Sequence, residues 1–228
     1  AMQLFESWEG DYIALMDGDD YWCHPQKLQK QVEFLENNRD YAGCFHDAKI
    51  ENKLEEGRGN QKVYDEQSKA QFRLFSQKNI YAGDLTAWDF IHRKNIPNSS
   101  LVFRHREEAV TKLKAMKPVN LSLGWTLQLL IIKDQRFKYF PELWSVYVDQ
   151  PRGVTKMFSF ADFNLGKIYV LKQLLKDDYF QYMKEHIYKA LMEEYGFLAN
   201  NKDRQVSKWQ HFKDCLLYTS DAADDANC

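Results

Sequence analysis

Tyr12-Ile-Ala-Leu-Met-Asp-Gly-Asp-Asp-Tyr-Trp22 decides the reading of this chain: an apolar run, three carboxylates around a glycine, then two aromatics. Residues 13–16 form a short continuous apolar run, the pattern of a strand buried on both faces. Side chains alternate with a period of two, so Asp17 and Asp19 share a side if the backbone stays extended. Gly18 between them has no Cβ, which lets a ligand or another segment come close. Open α/β sheets bind ligands outside the carboxyl ends of their strands. Clustered carboxylates repel unless a cation joins them, and an oxygen-only set suits Mg²⁺ or Mn²⁺, which usually completes its shell with substrate phosphates. The sharp reading is a metal–diphosphate site. The plain one is a solvated acidic turn, because Asp-Gly is a strong turn dipeptide. A calcium loop is excluded: the EF-hand pattern wants Gly and Glu where this chain has Trp22 and Leu28.

Outward from that stretch, Pro25 suits a first helical position. Leu28, Val32 and Leu35 follow at helical spacing until Asn37-Asn38. Residues 41–52 read as a strand, 57–59 as a turn, and 62–64 as a returning hairpin strand. A short helix is expected over 84–91, a strand over 99–104, and a helix over 107–116 stopped by Pro118. Residues 122–133 are helical, with Leu123, Leu127, Leu130 and Ile131 on one face. Two strands, 137–140 and 144–148, close the pattern. From Phe160 on, two long helices are lined by Phe163, Ile168, Leu171, Leu174 and Leu175, then by Phe180, Met183, Ile187, Leu191 and Phe197.

The 228 residues make one domain, or one domain with a helical appendage. A formal charge of −2 with no basic stripe argues against nucleic acid as a partner. The four cysteines, Cys23, Cys44, Cys215 and Cys228, show no CxxC spacing, so neither a disulfide framework nor a zinc ribbon is indicated. A reducing cytoplasm is the default for such a chain. Pairing of Cys23-His24 with Cys44 and His46 fits no common zinc pattern; a buried thiol and a satisfied strand histidine are the better reading. The apolar run 129–132 is far too short to span a bilayer.

The opening stretch, followed by Pro25-Gln-Lys-Leu-Gln-Lys-Gln-Val-Glu-Phe-Leu-Glu36, resembles family 2 glycosyltransferases of the GT-A fold, whose acidic DXD motif precedes this aromatic pair and helix. Ile96-Pro-Asn-Ser-Ser-Leu-Val-Phe-Arg104 is similar to their acceptor-side strand. The resemblance implies an α/β fold: a partial GT-A mixed sheet flanked by helices over 1–155, with a C-terminal helical region over 156–214. Residues 215–228 resemble translated adapter sequence and are set aside. The strands that grip the nucleotide base would precede residue 1, so the fragment alone is expected to be inactive. The implied activity is hexosyltransferase-like: a sugar moves from a nucleotide-diphosphate donor, a UDP-sugar by expectation, to a glycan or lipid-linked acceptor. Mn²⁺ or Mg²⁺ is the implied cofactor. Bacterial cell-wall or polysaccharide synthesis is the implied setting, in the cytoplasm, with peripheral association at the inner membrane face as an option.

Residue by residue, the resemblance makes Asp19 the closest metal ligand. Asp17 assists it or holds the donor's ribose, and Asp20 orients these groups or meets the sugar. Trp22, Ser99, Ser100 and Trp125 fall on the acceptor side, the two tryptophans reading equally as rings for a sugar face or as core. The family's general base belongs to a Gly-Asp-Trp-like stretch, and in Leu121-Ser-Leu-Gly-Trp-Thr-Leu127 its position is taken by Gly124. Where the family often has Tyr-Arg-x-His, this chain has Tyr147-Val-Asp-Gln150, so Val148 replaces the Arg and Gln150 the His. Asp149 is then the candidate base or ligand, with Asp84 and Asp89 in reserve. Arg104 reads as a surface ion pair rather than a phosphate contact. The competing reading is a non-catalytic GT-A-like binding module that kept its acids and lost its base.

Overall fold

Residues 8–52, 73–74, 76, 83–92, 96–116, 123–150 and 158–200 are described by the computed structural model. Their centre is a long strand, β3 (Tyr41–Asn52), flanked along its whole length by a parallel partner, β6 (Arg136–Asp149). On the other edge β3 takes two antiparallel partners in turn, β5 (Val102–Arg104) at Gly43 and Cys44 and β4 (Arg73–Leu74) at Lys49 and Ile50. Outside these lie β1 (Tyr12–Ala14) on β5 and β2 (Tyr21–Trp22) on β6, giving the order β1-β5-β3-β6-β2. The result is the mixed sheet flanked by helices that the resemblance implies. Gly43 sets how tightly β3 and β5 approach: a Cβ there would meet the Val102 carbonyl oxygen at 2.8 Å and Phe103 Cβ at 3.0 Å.

Two expectations about strands are corrected. β1 was expected to be buried on both faces, yet among the described residues it pairs only with β5; Ile13 is buried while Ala14 and Met16 are exposed. The two strands expected over 137–148 are one. Phe140 pairs with His46 and Leu143 with Asp47, so Pro141 and Glu142 bulge out without ending the strand.

Helix α1 (Lys27–Asn37) also turns differently from its apolar spacing. Its buried stripe is Lys27, Gln31 and Leu35, while Leu28 is exposed. The cause is backbone hydrogen bonding: Gln31 Nε2 donates to the carbonyls of Cys44 (3.1 Å) and Ser100 (2.9 Å), which an apolar residue could not satisfy. Arg104 is neither a surface ion pair nor a phosphate ligand. Its guanidinium donates to the Leu35 carbonyl, to the Asn38 carbonyl at 3.4 Å and to the Tyr41 carbonyl at 3.2 Å, placing a cation at the C-terminal end of α1.

Three helices complete this unit. α2 (Ala87–Ile91) starts with a Thr86–Asp89 capping box. α3 (Glu107–Ala115) buries Ala109, Val110 and Leu113. α4 (Leu123–Ile132) is buried on all sides from Trp125 to Ile132 rather than on one face. The described residues from 158 on form a second compact unit. There α5 (Phe160–Leu174), opened by a Ser159–Asp162 capping box, packs against α6 (Lys184–Asn200). Ile168, Leu171, Leu174, Ile187 and Leu191 are buried as expected, but Phe197 is exposed, and Tyr195 and Leu198 fill the interior instead. No described helix is long and apolar enough to cross a membrane. The expected hairpin at 57–64, the tail at 215–228, Cys215 and Cys228 lie outside the described residues.

Candidate functional site

β1 delivers the chain to the acidic stretch, which is not extended. Asp20 N–H donates to the Asp17 carbonyl at 3.1 Å, folding Asp17-Gly18-Asp19-Asp20 into a tight turn. The turn, not strand alternation, therefore gathers the acids. Asp17 keeps accessible surface although atoms crowd around it. Desolvation holds its carboxyl above the ordinary value, Asn98 opposes this by donating Nδ2 to it at 3.2 and 3.4 Å, and the Asp19 charge adds to the rise. Asp20 is buried, and burial likewise holds its pKa up, with the charges of Asp17 and Asp19 adding. Its Oδ1 accepts from Val148 N–H at 2.9 Å, and Ser99 donates to it from the side. Its Oδ2 has no hydrogen-bond partner among the described residues. Gly18 faces open space: a Cβ there would have nothing within 4 Å.

β2 then pairs with β6, Tyr21 opposite Val146 and Trp22 opposite Ser145, which brings the end of β6 back to the turn. Tyr147 records the convergence. Its phenol is held above the usual pKa first by burial, then by the charges of Asp149, Asp20, Asp17 and Asp19. Asp149 is thus in the neighbourhood of the acidic turn. Asn98 and Tyr147, neither singled out from sequence as site residues, belong to the same place; both lay inside the quoted motifs, and only the turn and the β2–β6 register reveal them.

The other expected residues are distributed as follows. Trp22 is half-buried, donating Nε1 to the Ser99 carbonyl at 2.9 Å. Ser99 and Ser100 are fully buried; Ser99 supports Asp20, and Ser100 Oγ donates to the Pro97 carbonyl at 2.8 Å. Trp125 is buried and donates Nε1 to the Phe90 carbonyl at 2.7 Å. Direct acceptor contact from these three would need the surface they lack here. Gly124 does lie toward the site: a Cβ there would meet Asn98 Oδ1 at 3.0 Å, the amide that bonds Asp17. The reserve acids are engaged elsewhere. Asp84 accepts from Tyr41 (2.7 Å) and the Tyr139 N–H (3.2 Å) and pairs with Lys138 (3.3 Å), and Asp89 caps α2.

The turn's donor set is all oxygen, crowded enough that each carboxylate resists the next, with Asp20 Oδ2 left over. That chemistry fits a hard divalent cation. Among the described residues no group of three or more His, Cys, Asp or Glu side chains could hold a metal by itself, so external oxygens would have to complete the shell. A zinc site is ruled against by Cys44, whose thiol donates to the Gln31 carbonyl at 3.6 Å and whose pKa burial pushes up to about 12.

Residues 2–95 match the model of glycosyl transferase family 2, a span that contains the acidic turn and ends before Asn98, Gly124 and Asp149. Uncharacterized proteins of Mycobacterium bovis and of two Mycobacterium tuberculosis strains are each 27% identical over 147 residues, covering 64% of this chain. The chain spans about a third (36%) of the length of these relatives.

Proposed function

We propose, from the match of residues 2–95 to the model of glycosyl transferase family 2, that the protein carrying this sequence moves a sugar from a nucleotide-diphosphate donor onto a glycan or lipid-linked acceptor. The observation that carries this reading is the meeting of Asp17, Asp19, Asp20, Asn98, Tyr147 and Asp149 at one end of the sheet. Asp17 and Asp19 would hold Mn²⁺ or Mg²⁺, which when bound would supply Lewis-acid neutralisation of charge on a nucleoside diphosphate. Asp20, pinned to the β6 backbone at Val148, keeps the turn in shape. Tyr147 stays protonated and donates a hydrogen bond to an oxygen of the donor or acceptor. Asp149 accepts the proton of the attacking hydroxyl, the role left open by Gly124. The half-exposed ring of Trp22 offers a flat face to a sugar. A UDP-sugar and a bacterial polysaccharide or cell-wall acceptor reached at the inner membrane face complete the proposal.

A second reading is supported by Gly124, Val148 and Gln150, which put no acid, guanidinium or imidazole where the family's acceptor half has them. In it the protein binds nucleotide and metal without turnover. Hydrolysis of a UDP-sugar with and without Mn²⁺ separates the two. Metal-dependent turnover that Asp19→Ala abolishes supports the enzyme. Metal-dependent UDP binding without turnover supports the binding module, and metal-independent turnover contradicts both.

A further inference from the structure

Behind Trp22, on the inner face of α1, three buried polar groups lack hydrogen-bond partners among the described residues: Lys27 Nζ, Gln31 Oε1 and His46 Nε2. Their residues are 1%, 0% and 0% exposed. The packing of α1 on β3 brings the three together. Gln31 lies over Cys44, giving Nε2 to its carbonyl at 3.1 Å and taking its thiol at the Gln31 carbonyl at 3.6 Å. Phe34 lies over Tyr41, ring centroids 4.9 Å apart, so the helix and the strand run in opposite directions. One helical turn back from Gln31, about 6 Å, is Lys27; two strand residues on from Cys44, about 6.6 Å on the same face, is His46. The Lys27 ammonium and the His46 ring therefore face each other beside the Gln31 amide. Trp22 covers Lys27 at 4.4 Å, and Trp144 walls the imidazole at 5.2 Å.

The chemistry of the three atoms is complementary. His46 Nδ1–H donates to the Asp47 carbonyl at 2.7 Å, which leaves Nε2 as a bare lone pair. Gln31 spends its amide hydrogens on two carbonyls, leaving Oε1 as an acceptor. Lys27 can only donate. One donor group and two acceptors match a water molecule, which accepts from Nζ and donates its two hydrogens to Nε2 and Oε1. An anion would meet two lone pairs, and a metal cation would meet an ammonium. We propose that Lys27, Gln31 and His46 form an internal binding site for a single water that ties α1 to β3. Through Lys27 and Trp22 this water steadies Ser99 and the support of Asp20, so it is the inner footing of the acidic turn.

A crystal structure of the chain, grown with bromide in place of chloride and at a resolution that orders solvent, tests this. The expected result is one water peak within about 3 Å of all three atoms, without bromide anomalous signal, and lost when Lys27→Met fills the space. A bromide peak, a direct Lys27–His46 hydrogen bond with no density between, or a peak that survives in Lys27→Met overturns the proposal. Should Lys27→Met fail to fold, nitrogen NMR of His46 in the unaltered chain decides. The expected spectrum is the neutral Nδ1–H tautomer at pH 6 with a water cross-peak at the ring, and an imidazolium, or no cross-peak, overturns it.

Discussion

Two groups of incompletely satisfied polar side chains lie on either side of Trp22, and they differ in sign and in access to solvent. Ahead of it, Asp17 and Asp19 are exposed, Asp20 is buried with one oxygen unpaired, and the Asp19 charge pushes up the carboxyls of both Asp17 and Asp20. Behind it, Lys27, Gln31 and His46 are sealed in, and the Lys27 ammonium has no hydrogen-bond partner among the described residues. An open cluster of one sign can be stabilised further by a cation that arrives from solution. A closed one must be satisfied during folding, by the chain or by a small neutral molecule. The difference separates the proposed binding surface from a structural core within residues 17–46.

The open side is challenged first by Asp149→Asn. If Asp149 takes the acceptor's proton, donor turnover falls by about 10² to 10⁴ while UDP affinity holds within about twofold; steady-state assays beside calorimetry check this, and unchanged turnover removes Asp149 from the mechanism.

The closed side is sharpened by Lys27→Met. Burial depresses the Lys27 pKa from 10.5 to about 8, so the charged form is disfavoured in the folded state. The unfolded chain then binds more protons between those values, and stability rises with pH there. Below pH 8 the full penalty applies, on the order of 3 kcal/mol; methionine removes it but also expels the proposed water and leaves His46 Nε2 and Gln31 Oε1 unsatisfied. Denaturant melts at pH 7 and pH 9 are expected to show the variant more stable relative to the parent at pH 7 than at pH 9. The Cys44 thiol, with its pKa raised to about 12, acts in the opposite direction above pH 9, which is why the comparison stops there. A stability difference between variant and parent that stays constant from pH 7 to pH 9 would contradict the depressed Lys27 pKa.

Two glycines give smaller effects. Gly43→Ala forces a methyl into the β3–β5 gap and should cost about 1–3 kcal/mol in a thermal or urea melt. Gly18→Ala meets nothing and should change stability by less than about 0.5 kcal/mol. If a ligand crosses the turn there, the same change weakens Mn²⁺-dependent UDP binding. Binding left intact would mean that nothing approaches Gly18 closely.

Sequence carried the open side further than the closed one. The acidic stretch, the helix after it and the full extent of β3 could be read from local pattern, because turn dipeptides, helical spacing and strand-forming runs are properties of neighbouring residues. The grouping of Asp17 with Asp19 was anticipated, but for the wrong reason: strand alternation was assumed, and a turn does the work. Inward Lys27 and Gln31 were unreadable because hydrophobic spacing pointed to Leu28 and Val32. What decides the matter is a pair of carbonyls on β3 and next to β5, remote in sequence, that only an amide can satisfy. Trp125 illustrates the same limit. Its indole is consumed by the Phe90 carbonyl, a contact that composition and spacing do not encode.

The central claim is tested most directly by titrating Mn²⁺ into the full-length protein carrying this sequence with UDP present, and repeating the titration with Asp19→Ala. The account predicts binding of UDP that requires the metal, weakened at least about 100-fold by the substitution, equivalent to about 2.7 kcal/mol. UDP binding that is equally tight without Mn²⁺, or that Asp19→Ala leaves unchanged, would contradict it.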